Sequence, residues 1–206
     1  TINTLINFVA IIQIKVMAGI YIHIPFCKRK CSYCDFYSVA NTRLADEYVS
    51  ALVRELHIRA AEIDFDCVTT IYIGGGTPSV LTLAQMHKLM QGLREKVNFA
   101  NVSEVTIEVN PDDVTEDYIL GLKALGVNRV GMGVQSFVDA ELKAVNRRHN
   151  AAEAITAVEA IRRAGVANVS IDLIYGLPGQ TIESWRHSLD TLLTQGVEHV
   201  SAYNLR

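Results

Sequence analysis

From residue 19 onward the chain alternates between two patterns of apolar and polar positions, one typical of strands and one typical of helices. Six runs are short, rich in β-branched residues and largely apolar, as buried strands are. They occupy residues 20–24, 69–73, 105–109, 129–133, 169–174 and 199–203. After the first run, apolar side chains recur every four positions from Leu44 to Leu56, which predicts a helix. Thr82 with Gln85, and Thr115 with the two acids after it, predict two further helix starts.

A weak internal repeat of the form Gly-Val-x-x-Val marks the ends of three predicted helices. It begins at Gly126, Gly165 and Gly196, at intervals of 39 and 31 residues. Glycine suits the left-handed conformation that closes a helix, and the valines open the next strand, so each interval measures one βα unit. Repeated βα units predict a parallel sheet and hence an α/β fold. We expect an open, partial (β/α)6 barrel of the TIM type, with a doubly wound sheet as the alternative.

Length and composition limit the domain organisation. The chain has 206 residues, half of them apolar and 20% charged, which suffices for one large domain. The formal net charge of −3 argues against a general nucleic-acid-binding protein. We interpret residues 1–18 as an N-terminal extension and residues 19–206 as the core domain, and we expect Met17 to be the natural start, so that residues 1–16 are not native. The apolar residues 5–14 are too few to span a bilayer and do not resemble a secretory signal.

Three cysteines with the spacing C-x3-C-x2-C follow the first predicted strand: Cys27, Cys31 and Cys34 (residues 27–34, the cysteine loop). Thiolates so close together can bind one metal centre, and a four-iron four-sulfur cluster held by three of them keeps one iron open to a further ligand. A zinc site that recruits His23 is an alternative, because the spacing also suits zinc. A disulfide framework is less favoured, since four cysteines in 206 residues are few. Cys67 stands apart and is interpreted as an apolar filler.

The predicted strand ends carry glycine or polar residues, which is where functional residues gather in barrels of parallel strands. Glycine backbone can approach a ligand closely, and Glu108, Gln135 and Asp172 supply acceptors suited to sugar hydroxyls or an ammonium group. Each such segment, taken singly, is also typical of an ordinary turn. Together they predict a ligand site around the cysteine loop. The basic residues 28–30 inside that loop are interpreted as a solvated segment that can also offset the charge of the thiolates.

The order of these motifs resembles the radical S-adenosylmethionine (SAM) superfamily. The matching segments are Tyr-Ile-His-Ile-Pro-Phe before Cys27, Gly-Gly-Gly-Thr-Pro78, Glu-Val-Asn-Pro111, Gly-Val-Gln-Ser136 and Asp-Leu-Ile-Tyr-Gly-Leu-Pro178. Within the superfamily, the chain is similar to the branch that contains oxygen-independent coproporphyrinogen III oxidase and the HemW heme chaperones. The resemblance runs from about residue 19 to the end of the chain.

The resemblance implies a four-iron four-sulfur cluster on the three cysteines, with SAM bound through the open iron. In the superfamily, one electron from the reduced cluster cleaves SAM to methionine and a 5′-deoxyadenosyl radical. The resemblance places Gly75, Gly76 and Thr77 at the methionine end of SAM. The other implied cofactor contacts are Tyr21, Tyr33, Glu108, Gln135, Arg147 and Asp172. Tyr33 is expected beside the adenine, whereas the basic run that begins at Arg147 can instead complement a helix dipole. No residue is assigned a catalytic role.

One departure from the oxidase pattern bears on function. The oxidases continue C-x-C after the third cysteine, whereas this chain has Asp35 and then Phe36, and HemW-like relatives carry phenylalanine there. The resemblance therefore implies a heme chaperone that inserts heme into hemoproteins. Oxidative decarboxylation of a porphyrinogen is the alternative, so enzymatic activity is left open, and a zinc-stabilised binding domain is a third hypothesis.

The expected partners are SAM, heme or a porphyrinogen, an electron donor and a hemoprotein client, with a second copy of the chain as a further candidate. A cytoplasmic location is expected, since an exposed cluster needs reducing surroundings. We also expect the chain to be a fragment of a longer protein, because it stops before the C-terminal region of the family.

Overall fold

Six parallel strands form a single sheet in the computed structural model of the protein, which describes residues 17–205. The strands are β1 (Ala18–Ile24), β2 (Val68–Gly75), β3 (Glu104–Val109), β4 (Arg129–Gln135), β5 (Asn168–Tyr175) and β6 (His199–Asn204). The helices are α1 (Ala45–Ile58), α2 (Leu83–Arg94), α3 (Glu116–Ala124), α4 (Asp139–Ala144), α5 (Ala151–Arg163) and α6 (Ile182–Thr194). Short 3-10 turns lie at Ala60–Glu62, Phe65–Cys67, Pro78–Val80, Phe99–Asn101 and Pro111–Asp113.

The strands lie side by side in chain order, from β1 at one edge to β6 at the other. Each pair is parallel, and a helix connects every strand to the next. A doubly wound sheet would reverse its strand order partway, so the predicted open barrel is confirmed and the alternative is not. Right-handed crossovers in one continuous order place the helices on one face of the sheet. The other face is left to form the inside of the barrel.

Successive side chains of each strand point alternately to the helix side and to the inner side of the sheet. On the helix side they are apolar and buried, as Ile73, Ile107, Met132 and Ile171 are, and they join one continuous core. On the inner side most of them are polar or glycine, and Gly131 leaves open space there. The inner side chains include Tyr21, Tyr72, Thr106, Glu108, Arg129, Ser170 and Asp172. The sequence therefore builds a barrel whose interior can hold a polar ligand.

All six strands predicted from the sequence are present, and most are longer by one or two residues at an end. The largest extension is at β2, where Gly74 and Gly75 pair with His23 and Ile24 of β1 and so continue the ladder. These glycines are predicted as loop because they lack side chains, yet their backbone still makes strand hydrogen bonds. Residues 1–16, the greater part of the predicted extension, lie outside the described residues, and β1 already begins at Ala18.

The predicted helix boundaries follow from local chemistry. Thr82 caps α2, because its hydroxyl accepts from the Gln85 amide at 3.2 Å while the Gln85 side chain accepts from the Thr82 amide at 2.9 Å. The three repeat glycines all have positive φ angles, of 103°, 76° and 58°, directly after α3, α5 and α6. These two signals confirm the βα periodicity. No helix within residues 17–205 is long and apolar enough to cross a membrane.

Candidate functional site

A cavity of about 600 Å³ opens at the carboxyl ends of the strands, inside the barrel. It is lined by the cysteine loop and by the loops that follow β2, β3 and β4. The predicted site residues on its wall are Cys27, Cys31, Cys34, Tyr33, Gly75, Gly76, Thr77, Glu108, Gln135, Arg147 and Asp172. Its size lies in the range of small-molecule and cofactor sites. The fold therefore brings together residues that are up to 145 positions apart in the sequence.

Backbone hydrogen bonds to Val39 fix the start of the cysteine loop. The Cys27 amide donates to the Val39 carbonyl at 3.0 Å, and the Val39 amide donates back to the Pro25 carbonyl at 2.7 Å. The Cys27 side chain is buried, and the Thr77 hydroxyl donates to its sulfur at 3.5 Å. The first cysteine is thus held before any metal is present.

The glycine-rich segment after β2 passes directly over the start of the cysteine loop. The Gly76 amide donates to the Ile24 carbonyl and the Thr77 amide to the Phe26 carbonyl, both at 2.8 Å. A Cβ atom at Gly76 would lie 2.8 Å from the Phe26 carbonyl oxygen and 3.0 Å from the Cys27 sulfur. Gly75 has a φ angle of 117°, a conformation that side chains rarely adopt. Glycine is therefore required at both positions by close approach and by backbone conformation.

The guanidinium group of Arg147 joins the cysteine loop to the opposite wall. It donates to the Asn110 side-chain oxygen at 2.9 Å and to the Gly133 carbonyl, and it lies 3.4 Å from the Tyr33 hydroxyl and 3.6 Å from the Cys31 sulfur. Burial raises the pKa of Tyr33, which keeps its hydroxyl neutral. Arg147 thus lies on the cavity wall, and its role as a SAM contact stays a prediction.

Two partly buried carboxyl groups, Glu108 and Asp172, face the cavity from β3 and β5. Glu108 accepts from the Tyr72 hydroxyl at 2.7 Å and from the Gly75 amide at 3.1 Å. Burial raises the pKa of Glu108, and the negative charge of Asp172 adds to this increase. Burial also raises the pKa of Asp172. Carboxyl groups that are costly to ionise together favour a cationic ligand between them, because it would stabilise both charges.

Gln135 occupies the end of β4 in a strained conformation, with a φ angle of 73°. Its neighbours hold it from both sides: the Ser136 hydroxyl donates to Glu141 at 2.6 Å, and His149 Nε2 lies 3.0 Å from the Val134 carbonyl. Within residues 17–205, Oε1 of Gln135 is one of four buried side-chain nitrogen or oxygen atoms without a hydrogen-bond partner. Strain and an unpaired polar atom on a cavity wall are typical of a residue kept for a ligand.

These residues fit a four-iron cluster with SAM beside it. Each of three cysteine thiolates in such a cluster binds a different iron, so their sulfurs need not meet at a single ion. Indeed, among the described residues, Cys, His, Asp and Glu side chains form no group of three placed to hold one metal ion. The buried Nε of Arg147 is, like Gln135 Oε1, without a partner within the described part of the chain. Donors and acceptors on the wall thus remain for an aminocarboxylate and a ribose.

Three residues considered from the sequence lie apart from this cavity. Tyr21 is 59% exposed and its hydroxyl bonds His23 Nδ1 at 3.0 Å, so the cavity wall does not include it. His23 contacts the Tyr37 carbonyl through Nε2 at 2.9 Å, which engages both of its ring nitrogens. Cys67 donates to the Asp64 carboxylate at 3.1 Å, at the opposite end of β2. The role of Tyr21 as a SAM contact stays a prediction.

Sequence reasoning missed Asn110 as a site residue. Its side chain accepts from Arg147 and donates to the Thr77 hydroxyl at 3.3 Å, and Thr77 in turn donates to Cys27. Asn110 therefore couples two of the predicted site residues. The signal was its place at the end of β3, beside Glu108, but an Asn-Pro pair is also an ordinary loop start.

Comparison with known protein families gives a match to the Radical SAM superfamily over residues 21–192. Among curated proteins, heme chaperone HemW of Bacillus subtilis (strain 168) is 40% identical over 191 residues, which cover 92% of this chain and 50% of that protein. Heme chaperone HemW of Escherichia coli (strain K12) is 38% identical over 189 residues, which cover 91% and 50%. The chain thus spans about half the length of these curated relatives.

Among solved structures, coproporphyrinogen III oxidase (HemN) from Escherichia coli matches with a TM-score of 0.84 and 35% sequence identity. The match covers 93% of this chain and 45% of that one. The radical S-adenosylmethionine methyltransferase TsrM from Kitasatospora setae matches with a TM-score of 0.64 at 15% identity and covers 92% of this chain and 36% of the other. The second similarity concerns the fold alone.

Proposed function

The chain belongs to the radical SAM superfamily, and from this we propose that Cys27, Cys31 and Cys34 hold a four-iron four-sulfur cluster and that SAM binds in the adjoining cavity. The observation that carries the proposal is the cavity itself, where the cysteine loop, glycine backbone and two partly buried carboxyl groups meet. When bound, the cluster supplies an open iron site and one electron for the cleavage of SAM.

Different residues of the cavity bind different parts of SAM in this proposal. Gly76 lets the methionine end approach the cluster, because a side chain there would press on the Cys27 sulfur and the Phe26 carbonyl. Gly75 contributes its positive φ angle, which turns the backbone at this point in a way that side chains rarely allow. The carboxyl groups of Glu108 and Asp172 attract the positively charged sulfonium and ammonium groups of SAM. Gln135 offers its free oxygen to a hydroxyl or an amine, and Arg147 offers Nε to a carboxylate. The geometry thus orients a bound ligand against the cysteine loop.

Anaerobic reconstitution with iron and sulfide tests the cofactor proposal. The purified chain should retain about four iron and four sulfide ions, and it should bind SAM only when loaded. A variant with Cys31→Ser should retain neither, whereas Cys67→Ser should behave like the unchanged chain. Stoichiometric zinc without labile sulfide would overturn the proposal in favour of the zinc-stabilised domain.

For the whole protein we propose a heme chaperone that binds heme and inserts it into hemoproteins. The support is the name of the curated relatives, at 36–40% identity for several of them, together with Phe36. Phe36 lines the cavity and is 70% exposed, in the place where the oxidase pattern has a further cysteine. The proposal includes an electron donor and a hemoprotein as partners, and a cytoplasmic location. We further propose residues 19–206 as one core domain.

Heme transfer separates this function from the second candidate. Incubation with heme should give a stable complex with a shifted Soret band, and heme should then pass to an apo-hemoprotein. The second candidate is oxidative decarboxylation of coproporphyrinogen, favoured by the structural similarity to HemN. Vinyl-containing product, formed with SAM and a reductant, would select that candidate and reject the chaperone.

A further inference from the structure

The basic run inside the cysteine loop is not simply solvated. Lys28, next to Cys27, reaches across to the loop after β3, where its ammonium group lies 2.6 Å from the Asp113 carboxylate. The Lys28 side chain is 50% exposed, but that of Asp113 is only 1% exposed. An ion pair with one fully buried partner is screened far less by water than a surface pair. The cysteine loop is therefore attached to the buried Asp113 carboxylate by an ion pair.

Asp113 collects hydrogen-bond donors from three other loops of the site. Besides Lys28, the Ser79 hydroxyl donates to it at 2.9 Å from the loop after β2. Arg148, the neighbour of the cavity residue Arg147, donates to it at 3.0 Å. Ser79 also accepts from the Asn110 amide at 3.2 Å, so the set is internally connected. The loops after β1, β2 and β3 and the connection between α4 and α5 thus meet at one carboxylate.

We propose that Asp113 is a positioning residue that fixes the cysteine loop through Lys28 and so determines how long the loop retains its metal. This inference rests on the proposed function, because it needs a cluster at Cys27, Cys31 and Cys34. Ligands held in place before binding lose little freedom when metal binds, and partners outside the ligand shell typically change metal affinity by about 10 to 100-fold. Asp113 touches neither metal nor SAM in this scheme.

The neighbourhood offers matched controls. Asp112, the adjacent carboxylate, contacts Arg148 but not Lys28, and so shares part of the network without the tie to the cysteine loop. Lys30 belongs to the same loop and carries the same charge, but it contacts Asn146 through its backbone carbonyl, which accepts from the Asn146 side chain at 3.1 Å. Lys30→Met therefore removes a positive charge near the cysteines and leaves that contact in place.

The experiment measures iron release. The 206-residue chain is reconstituted anaerobically, its iron and sulfide are quantified, and the rate of iron transfer to a ferrous chelator is followed. Lys28→Met and Asp113→Asn should each release iron about tenfold faster than the unchanged chain. The double variant should be no faster than Asp113→Asn, because both changes break the same tie. Asp112→Asn and Lys30→Met should release iron at the unchanged rate.

Two results would overturn the inference. Unchanged release from Lys28→Met would show that the tie does not hold the metal, and this half-exposed position tests the idea even if Asp113→Asn fails to fold. Equal acceleration by Lys30→Met would show that general charge compensation, not Asp113, matters. If the unchanged chain takes up no iron and sulfide, the proposed function itself fails, and the inference falls with it.

Discussion

The cysteine loop can lie under the glycine-rich segment only because the side chain of residue 76 is a single hydrogen atom. We predict that Gly76→Ala prevents the chain from loading a cluster, because the new methyl group would press on the Phe26 carbonyl and the Cys27 sulfur. Iron and sulfide content after reconstitution measures the effect. Overpacking of this kind typically costs about 1–3 kcal/mol, so the variant should still fold.

Gly131→Ala is the matched control for this prediction. A Cβ atom there would have its nearest contact at 3.9 Å, from the Glu108 side chain, which is an ordinary distance. This variant should load iron and sulfide like the unchanged chain. Normal loading of Gly76→Ala would contradict the close approach seen at that position.

Glu108 should contribute to SAM binding at the expense of stability. Burial raises the pKa of Glu108, so the stability that its proton confers is present below the ordinary value of 4.5 and is lost as the pH rises through the raised pKa. We predict that Glu108→Gln weakens SAM binding by about tenfold, the effect of losing a charged hydrogen bond, without lowering the free energy of unfolding at pH 7. Calorimetric titration and urea unfolding measure the two quantities.

Glu104→Gln provides the comparison on the same strand. Glu104 pairs with Arg129 at 3.3 Å, outside the cavity wall, and its replacement should leave SAM affinity unchanged. If Glu104→Gln and Glu108→Gln weaken SAM binding equally, the loss reflects the general charge of the barrel rather than a specific contact.

Site residues could be predicted from the sequence only where their pattern lies within a short segment. Cys27, Cys31 and Cys34 lie within eight residues, so their spacing could be read from the sequence. Asn110 acts through Arg147, and Lys28 through a carboxylate 85 positions away. Such contacts leave no periodic or spacing signal, because only the fold brings the partners together.

Between β4 and α5, the buried imidazole of His149 connects two elements. Burial lowers the pKa of His149 to about 3, so below pH 6.5 the unfolded chain binds a proton that the folded chain does not. We predict that the free energy of unfolding falls as the pH is lowered from 6.5, by about 2 kcal/mol at pH 5 from this residue alone. Urea unfolding at several pH values measures the slope.

His149→Gln separates this residue from the carboxyl groups that titrate nearby. The glutamine amide can still donate to the Val134 carbonyl, but it does not titrate in this range. The variant should show a flatter decline between pH 6.5 and pH 5 than the unchanged chain. Identical slopes would mean that His149 is protonated in the folded protein or that another group dominates.

Most strands and helices could be predicted because each has its own apolar periodicity or its own capping residue. The β-branched runs gave all six strands, and the glycine repeat gave the helix ends. The short helix α4 was missed, since six residues are too few for an apolar stripe to recur. The turn after it includes Asn146 with a φ angle of 60°, and it places Arg147 in the cavity. Neither feature has a pattern that sequence periodicity could detect.

At the scale of the whole molecule, SAM should stabilise the fold only through the loaded site. At a SAM concentration about 100 times its dissociation constant, binding contributes about 2.7 kcal/mol. For a domain of this size, that corresponds to an increase in melting temperature of about 5–10 °C. Thermal unfolding of the loaded chain, with and without SAM, measures it. An equal increase for the unloaded chain would place SAM away from the cysteine loop.

The order of the strands also has a consequence for how the protein is made. Every strand pairs with its sequence neighbour, so a chain synthesised from its N-terminus can add one βα unit at a time to those already formed. The cysteine loop emerges with the first unit, but Asp113, Asn146 and Arg147 follow only 79 to 113 residues after Cys34. At ordinary translation rates this delay lasts roughly ten seconds. The three cysteines are therefore synthesised well before the residues that contact their loop in the folded protein.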